Sequence, residues 1–329
     1  ISRVQAVLST STRFAALCLI AAACASPSGD GLLQDSTTPP LSSLPAATVP
    51  STSSTTTAAP TTTSIALPQP PDVGEGTVCD LYSPDVEELG LVTAEAVREA
   101  SGIAASRTSD AFWIVNDSGS AAVVHAVGAH GTELAAIELA DVLAFDCEAL
   151  ALGPGPEPDV SYLYVGDIGD NFRFRNTISL LRFPEPDLAN PPATVDVERI
   201  RLTYPDTAED SEAMWVDPLT GDVFVVTKRQ PDGKAVVFTA PAELLTTAGP
   251  TEMSAIAEFS FPDNVFVTGA DVSADGSVVA WRGYNEVWMW VRRDLSYVAT
   301  LAAEPCMAPS PEEIQGEALT FSEGLAYVT

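Results

Sequence analysis

Three glutamates recur in one short phrase: Cys147-Glu148-Ala149-Leu150-Ala151, Ser211-Glu212-Ala213-Met214-Trp215 and Gly316-Glu317-Ala318-Leu319-Thr320. A second polar set, Asp117, Asp167, Asp170, Asn171, Lys228 and Arg282, follows short apolar runs in segments punctuated by glycine. Carboxylates and amides gathered in one place offer oxygen ligands to a hard cation such as calcium, which takes six to eight at about 2.3–2.6 Å. Glu148, Asp167, Asp170 and Glu212 are the residues this reading assigns to a metal. Asp167 or Glu148 could then orient a water, and Lys228 and Arg282 could meet an anionic substrate. The competing reading of the repeated glutamates is structural: each accepts backbone hydrogen bonds from a neighbouring unit and recurs because the unit recurs. Only two histidines are present, and His125 lies within an apolar run, so a Ser-His-Asp triad has little support.

Such residues need a repeating scaffold. Ser101-Gly102-Ile103-Ala104-Ala105 and Thr268-Gly269-Ala270-Asp271-Val272 read as weaker copies of the phrase, with Gly102 and Gly269 in the glutamate's place. The five units are then about 45 to 65 residues apart, the range of propeller blades and solenoids. Each phrase is followed by a turn and a β-branched or aromatic run, such as Phe112-Trp113-Ile114-Val115, Tyr162-Leu163-Tyr164-Val165 and Val223-Phe224-Val225-Val226. Asp217-Pro218-Leu219-Thr220-Gly221-Asp222 and Ala274-Asp275-Gly276-Ser277 read as hairpin turns. The pattern predicts an all-β chain, a β-propeller of five or six blades built from antiparallel sheets of three to four strands. In a blade, the start of the innermost strand and the loop after the second strand reach the same rim. Asp117, Glu148, Asp167, Asp170, Asn171, Glu212, Lys228, Arg282 and Glu317 are therefore the candidates for a ligand-binding top face.

Residues 1–24 read as an export signal. Arg3 and Arg13 precede the apolar run from Phe14 to Ala23, which is too short to span a bilayer. Residues 25–76 carry no aromatic residue, Lys or Arg and are dominated by Ser, Thr, Pro and Ala, so they read as a disordered linker. Fully extended, it would reach on the order of 150 Å. Residues 77–329 are expected to form the propeller. The chain lacks a starting Met and stops just after the second run of its last unit, so this reading expects a C-terminally truncated domain, its ring completed by segments such as Val78 to Leu91.

The net charge of −30, from 45 acidic against 15 basic residues, disfavours nucleic acid and anionic lipid headgroups as partners and is compatible with cations. Of the five cysteines, Cys79 precedes the first unit and Cys306 the last, which makes them the best disulfide pair across a ring seam, with Cys147 a buried free thiol.

Two resemblances follow from these residues. Ile20-Ala21-Ala22-Ala23-Cys24 resembles the lipobox of bacterial lipoproteins, which implies cleavage before Cys24, attachment of a diacylglycerol to its sulfur, and a head held by a lipid anchor on the outer side of the cell membrane; the head is expected to be a monomer. Asn116-Asp117-Ser118-Gly119, Glu148 to Gly153, Tyr164 to Asn171 and Glu212 to Pro218 resemble exported actinobacterial lipoproteins of unassigned function with a propeller head. More distantly, the architecture and acidic mouth resemble esterase-like phytase and gluconolactonase-type propellers, which implies calcium at the channel mouth. Two functions are expected: a binding module for a cell-surface protein, glycan or small molecule, or a calcium-dependent hydrolase of phosphate esters, esters or lactones.

Overall fold

The computed structural model describes residues 3–7, 65–117, 122–228, 233–261 and 265–329. The inner strands, Ala100–Ala105, Cys147–Pro154, Ser211–Val216, Gly269–Val272 and Thr320–Phe321, begin five separate antiparallel sheets. Each inner strand packs against the next, and the fifth returns to the first, so the sheets close a ring of five blades. The second blade shows the plan: Cys147–Pro154 pairs with Ser161–Asp167, then Ile178–Pro184, then Glu198–Thr203.

The strand sequences follow from where each strand sits. Ala111–Asn116, Ser211–Val216 and Val223–Thr227 are buried along their whole length, because both faces of a blade pack against neighbouring blades. Apart from the polar residues at one end, Asn116, Ser211, Glu212 and Thr227, they read as continuous apolar runs rather than alternating ones. At the periphery the alternation returns: Glu198–Thr203 buries Ile200 and Leu202 while the glutamate and arginines between them face water. The core accordingly lies between blades. Trp113, Leu150 and Leu163 pack between the first and second; Met214 and Tyr164 between the second and third; Trp215, Trp281 and Trp290 between the third and fourth. Phe321 and Met289 fill the next seam, and Ile103, Ile114 and Val328 the last. Two short strands stitch the outer edges: Thr194–Val195 joins the first blade's edge strand Glu133–Leu139, and Thr251–Glu252 joins Glu198–Thr203, both in parallel.

The fifth blade is assembled from distant pieces. Its order is Thr320–Phe321, Tyr327–Val328, Arg3–Val7 and Glu87–Leu91. Arg3–Val7 lies within the stretch that the sequence reading assigns to the export signal. In the structure it pairs antiparallel on both sides, satisfying two strand edges that would otherwise be left open. Cys79 and Cys306 are bonded, with Cα atoms 6.0 Å apart. The bond ties the turn before Glu87–Leu91 to the fourth blade's edge strand Cys306–Ala308 and closes a loop of 227 residues, worth at most about 5 kcal/mol in loop entropy. Cys147 is free and buried. Burial, then the charges of Asp167 and Glu148, push its thiol up to about 12, which makes it inert.

Candidate functional site

The inner strands carry a shared irregularity. In the first three blades the register skips one residue at the top, at Ser101, Glu148 and Glu212. A bulge at that place re-aims its side chain, here toward the channel mouth. The structural equivalent of the glutamates in the first blade is therefore Ser101, one position before the expected Gly102. The glycines have a packing reason. A Cβ on Gly102 would lie 2.6 Å from Leu150 N, and one on Gly269 would lie 2.7 Å from Glu317 O, so the neighbouring strand's backbone occupies that space.

Glu148, Glu212 and Glu317 surround one central void with Ser101, Gly102 and Gly269. Leu150, Met214, Ile103 and Leu319 line the same void, which holds about 10 Å³, room for no more than one water. Ser101 Oγ donates to Glu148 Oε2 at 2.8 Å and to Glu148 O at 3.1 Å, joining the first two blades. Burial, then the charges of Glu212 and Asp117, push the Glu148 carboxyl up to about 9, while the Ser101 bond pulls the other way. Burial raises Glu317 as well, with Asp117 and Glu99 adding to it.

Lys228 donates to Glu212 and sits 5.9 Å from the ring centroids of Phe266 and Tyr284. Burial works against the ammonium's charge, but Glu212 holds the ammonium above its ordinary value. At Glu212 itself burial outweighs Lys228, and Asp210 and Glu317 add repulsion, which makes this carboxylate the member that takes a proton as pH falls.

Carboxylate oxygens of Asp117, Asp146 and Glu148 lie within 4.8 Å of one another. Asp146 and Glu148 are buried and Asp117 is half-buried. Gly169 lies directly against this group. A Cβ there would come 2.5 Å from Asp146 Oδ2 and 2.6 Å from Glu148 Oε1, so the glycine keeps open the space between the two carboxylates. Three carboxyl groups around a gap that a methyl would fill supply the oxygen donors a hard divalent cation needs.

The other expected residues fall in different places. Asp167 is fully buried and engaged: it accepts from Phe145 N at 3.3 Å, Asp146 N at 3.0 Å and Arg175 Nη2 at 2.7 Å, with Arg199 3.5 Å from its second oxygen. It positions Asp146 from behind. Asp170 is also buried, accepts from Arg175 N, and donates its own N–H to Asp210 Oδ1 at 2.9 Å. Asp167 and Asp170 thus brace the loop that the sequence assigns to the metal, and Asp117 and Asp146 stand beside Glu148 instead. Asn171 is exposed. Arg282 is fully buried, held by Glu313 and the Ala318 carbonyl, in a slot that a Cβ on Gly316 would close. It is beneath the rim and does not face an incoming anion. Asp146 is the residue the sequence reading omits. Its signal is an acid two positions before the glutamate, which recurs as Asp210 before Glu212.

A cleft of about 740 Å³ opens beside the mouth between the first and fifth blades, with Asp117 and Glu317 in its lining. His125 is remote from this chemistry, its Nδ1 3.2 Å from Glu133 on the adjacent strand.

No protein-family model matches the chain, and no curated protein does so. Among solved structures, a structural-genomics protein from Lactobacillus plantarum is similar over 69% of this chain and 74% of its own, at 12% identity and a TM-score of 0.36. An auxiliary nutrient binding protein from Bacteroides thetaiotaomicron is similar over 64% of this chain and 42% of its own, at 9% identity and a TM-score of 0.37. The fold assignment rests on the closed ring of five sheets itself: the chain is a five-bladed β-propeller.

Proposed function

We propose that this protein is a binding module that takes a cation, or the cationic part of a larger ligand, at the mouth of its propeller. One observation carries the reading. Asp117, Asp146, Glu148, Glu212 and Glu317 converge on one rim, with Lys228 seated against Glu212. Carboxylates so close repel one another in the absence of a ligand, and burial adds to the cost. A bound cation removes both penalties at once.

Calcium suits the cluster formed by Asp117, Asp146 and Glu148, which would hold it with the backbone of Gly169 alongside. When bound, the ion supplies charge neutralisation at the rim and a Lewis-acidic centre for a ligand oxygen. Glu148 and Asp146 would hold the ion from the second blade's side of the mouth. Hydrolysis of a phosphate ester, ester or lactone is the weaker reading, because Arg282, which that reading needs for an anionic substrate, is buried under the rim.

The head is proposed to work outside the cytoplasm as a monomer, tethered through a diacylglyceryl group on Cys24 and held off the membrane by residues 25–76. Cys24 lies outside the described residues. The support is sequence: small residues directly before a cysteine after an apolar run, then a Ser/Thr/Pro/Ala tract. Protein and glycan surfaces, like small molecules, remain within reach of such a head.

The test of the mouth is calorimetric titration of calcium into the metal-free protein, together with Asp146→Asn and Glu148→Gln. Binding that each substitution weakens tenfold or more is the expected result. Titrations that show no heat and no stabilisation with calcium, magnesium or an organic cation remove the proposal.

A further inference from the structure

The cleft between the first and fifth blades has the makings of a site separate from the three-carboxylate cluster. At about 740 Å³ it is far larger than an ion needs and lies within the range of small-molecule sites. One wall is apolar, formed by Ile103 and Ile114 from the first blade. At the lip Ile314 is completely exposed, an apolar side chain with no cover of its own. Charge in the cleft is one-sided: Glu99, Glu312, Asp117 and Glu317 face Arg98.

We infer that the cleft binds an alkylammonium or guanidinium group carried on an apolar stem, the chemistry shared by Lys and Arg side chains of a polypeptide and by free aliphatic amines. The cation meets the carboxylates, and the methylenes lie along Ile103, Ile114 and Ile314. An anion is repelled by the lining, and a purely apolar ligand would strand four carboxylates out of water. The inference rests on the reading of the rim as a cation site only in that Asp117 and Glu317 belong to both.

The experiment uses the whole chain in chelator-treated buffer, with calorimetric titration of n-alkylammonium ions from ethyl to hexyl, the matching alcohols, and the blocked peptide acetyl-Ala-Lys-Ala-amide with its Nε-acetylated form. Affinity is expected to rise about fourfold for each of the first added methylenes. Alcohols and the acetylated peptide should bind at least a hundredfold more weakly. Glu99→Gln combined with Glu312→Gln should weaken the ammonium ions tenfold or more; both residues are exposed, so the fold is unaffected. Ile314→Ser should flatten the dependence on chain length. A lysine peptide that binds at least tenfold tighter than the amine of equal stem length identifies a polypeptide as the source, and equal affinities identify a free amine. Alcohols binding as well as ammonium ions, or no effect of Glu99→Gln/Glu312→Gln, overturns the inference. Calcium binding intact with no ammonium binding overturns it too and leaves the rim reading standing. Ammonium binding with no calcium response overturns calcium at the cluster and leaves the cleft.

Discussion

Ser101 and Glu148 sit at equivalent bulges of adjacent blades, and the serine hydroxyl donates to the glutamate carboxylate at 2.8 Å. The pair shows how one repeated position serves two ends: where a blade supplies serine the side chain stitches the ring, and where it supplies glutamate the side chain charges the mouth. Ser101→Ala should lower stability by about 1 kcal/mol, the value of one such bond. It should also raise the Glu148 carboxyl further, since the bond favours the charged form, and so weaken cation binding. Denaturant unfolding and titration of the same variant check both effects.

Cation uptake should depend on pH with a definite sign. Glu148 is pushed up to about 9 in the folded protein, from an ordinary carboxyl value near 4.5. A cation displaces its proton, so affinity should rise about tenfold per pH unit below about 9 and level off above it. Titration in buffers of different ionisation enthalpy should register one proton released. Without ligand the same shift acts on stability. The folded state holds more protons than the unfolded one between about 4.5 and 9, so this group's contribution to stability is lost as pH rises through that window. Flat affinity across this range removes Glu148 from the site.

Gly169→Ala tests the gap beside the carboxylates. The added methyl would meet the ends of Asp146 and Glu148 at 2.5 and 2.6 Å, and those side chains must move aside. The calcium-dependent rise in melting temperature should disappear, while the metal-free protein loses about 1–3 kcal/mol, the usual cost of overpacking.

Arg3–Val7 and Cys24 are tested together, since processing before Cys24 would remove the strand. A chain beginning at residue 25 should melt several degrees lower if Arg3–Val7 holds the fifth blade together, and unchanged if the stretch acts in export alone. Cys24→Ala should leave the detergent phase and appear in the medium; equal partitioning of variant and parent counts against the anchor.

Asp217 and Arg292 form a buried two-pronged ion pair, at 3.0 and 2.9 Å, that links the turn after the third blade's inner strand to the end of the fourth blade's third strand. Arg292 also lies 4.2 Å from the Tyr297 ring centroid. Asp217→Ala leaves a buried guanidinium without its counter-charge and should cost about 3–5 kcal/mol in denaturant unfolding. The double variant Asp217→Leu/Arg292→Met should cost much less.

The inner strands were written in the chain; the sequence left five and six blades open, and the closed ring of sheets decides for five. Recurring phrases mark where each blade begins, and the unbroken apolar runs after them follow from burial on both faces, so local composition was enough. The candidate site was legible only in part. Glu148, Glu212 and Glu317 stand in the phrase itself and do meet at one mouth. The first unit's equivalence slipped by one residue because a bulge changes register without changing composition: Ser101, not Gly102, takes the glutamate's place. Asp167 and Asp170 carry the most functional-looking sequence in the chain. Arg175 lies in the same loop, five residues after Asp170, but Arg199 and the Asp146 N–H come from other strands, and only the fold brings those donors within reach. Asp146 and Asp117 belong to different blades, 29 positions apart, and their approach to Glu148 is a product of blade stacking. Strand formation is a local property of the sequence. Which carboxylates share a space, and which are neutralised behind it, depends on contacts between blades, and those were fixed when the ring closed.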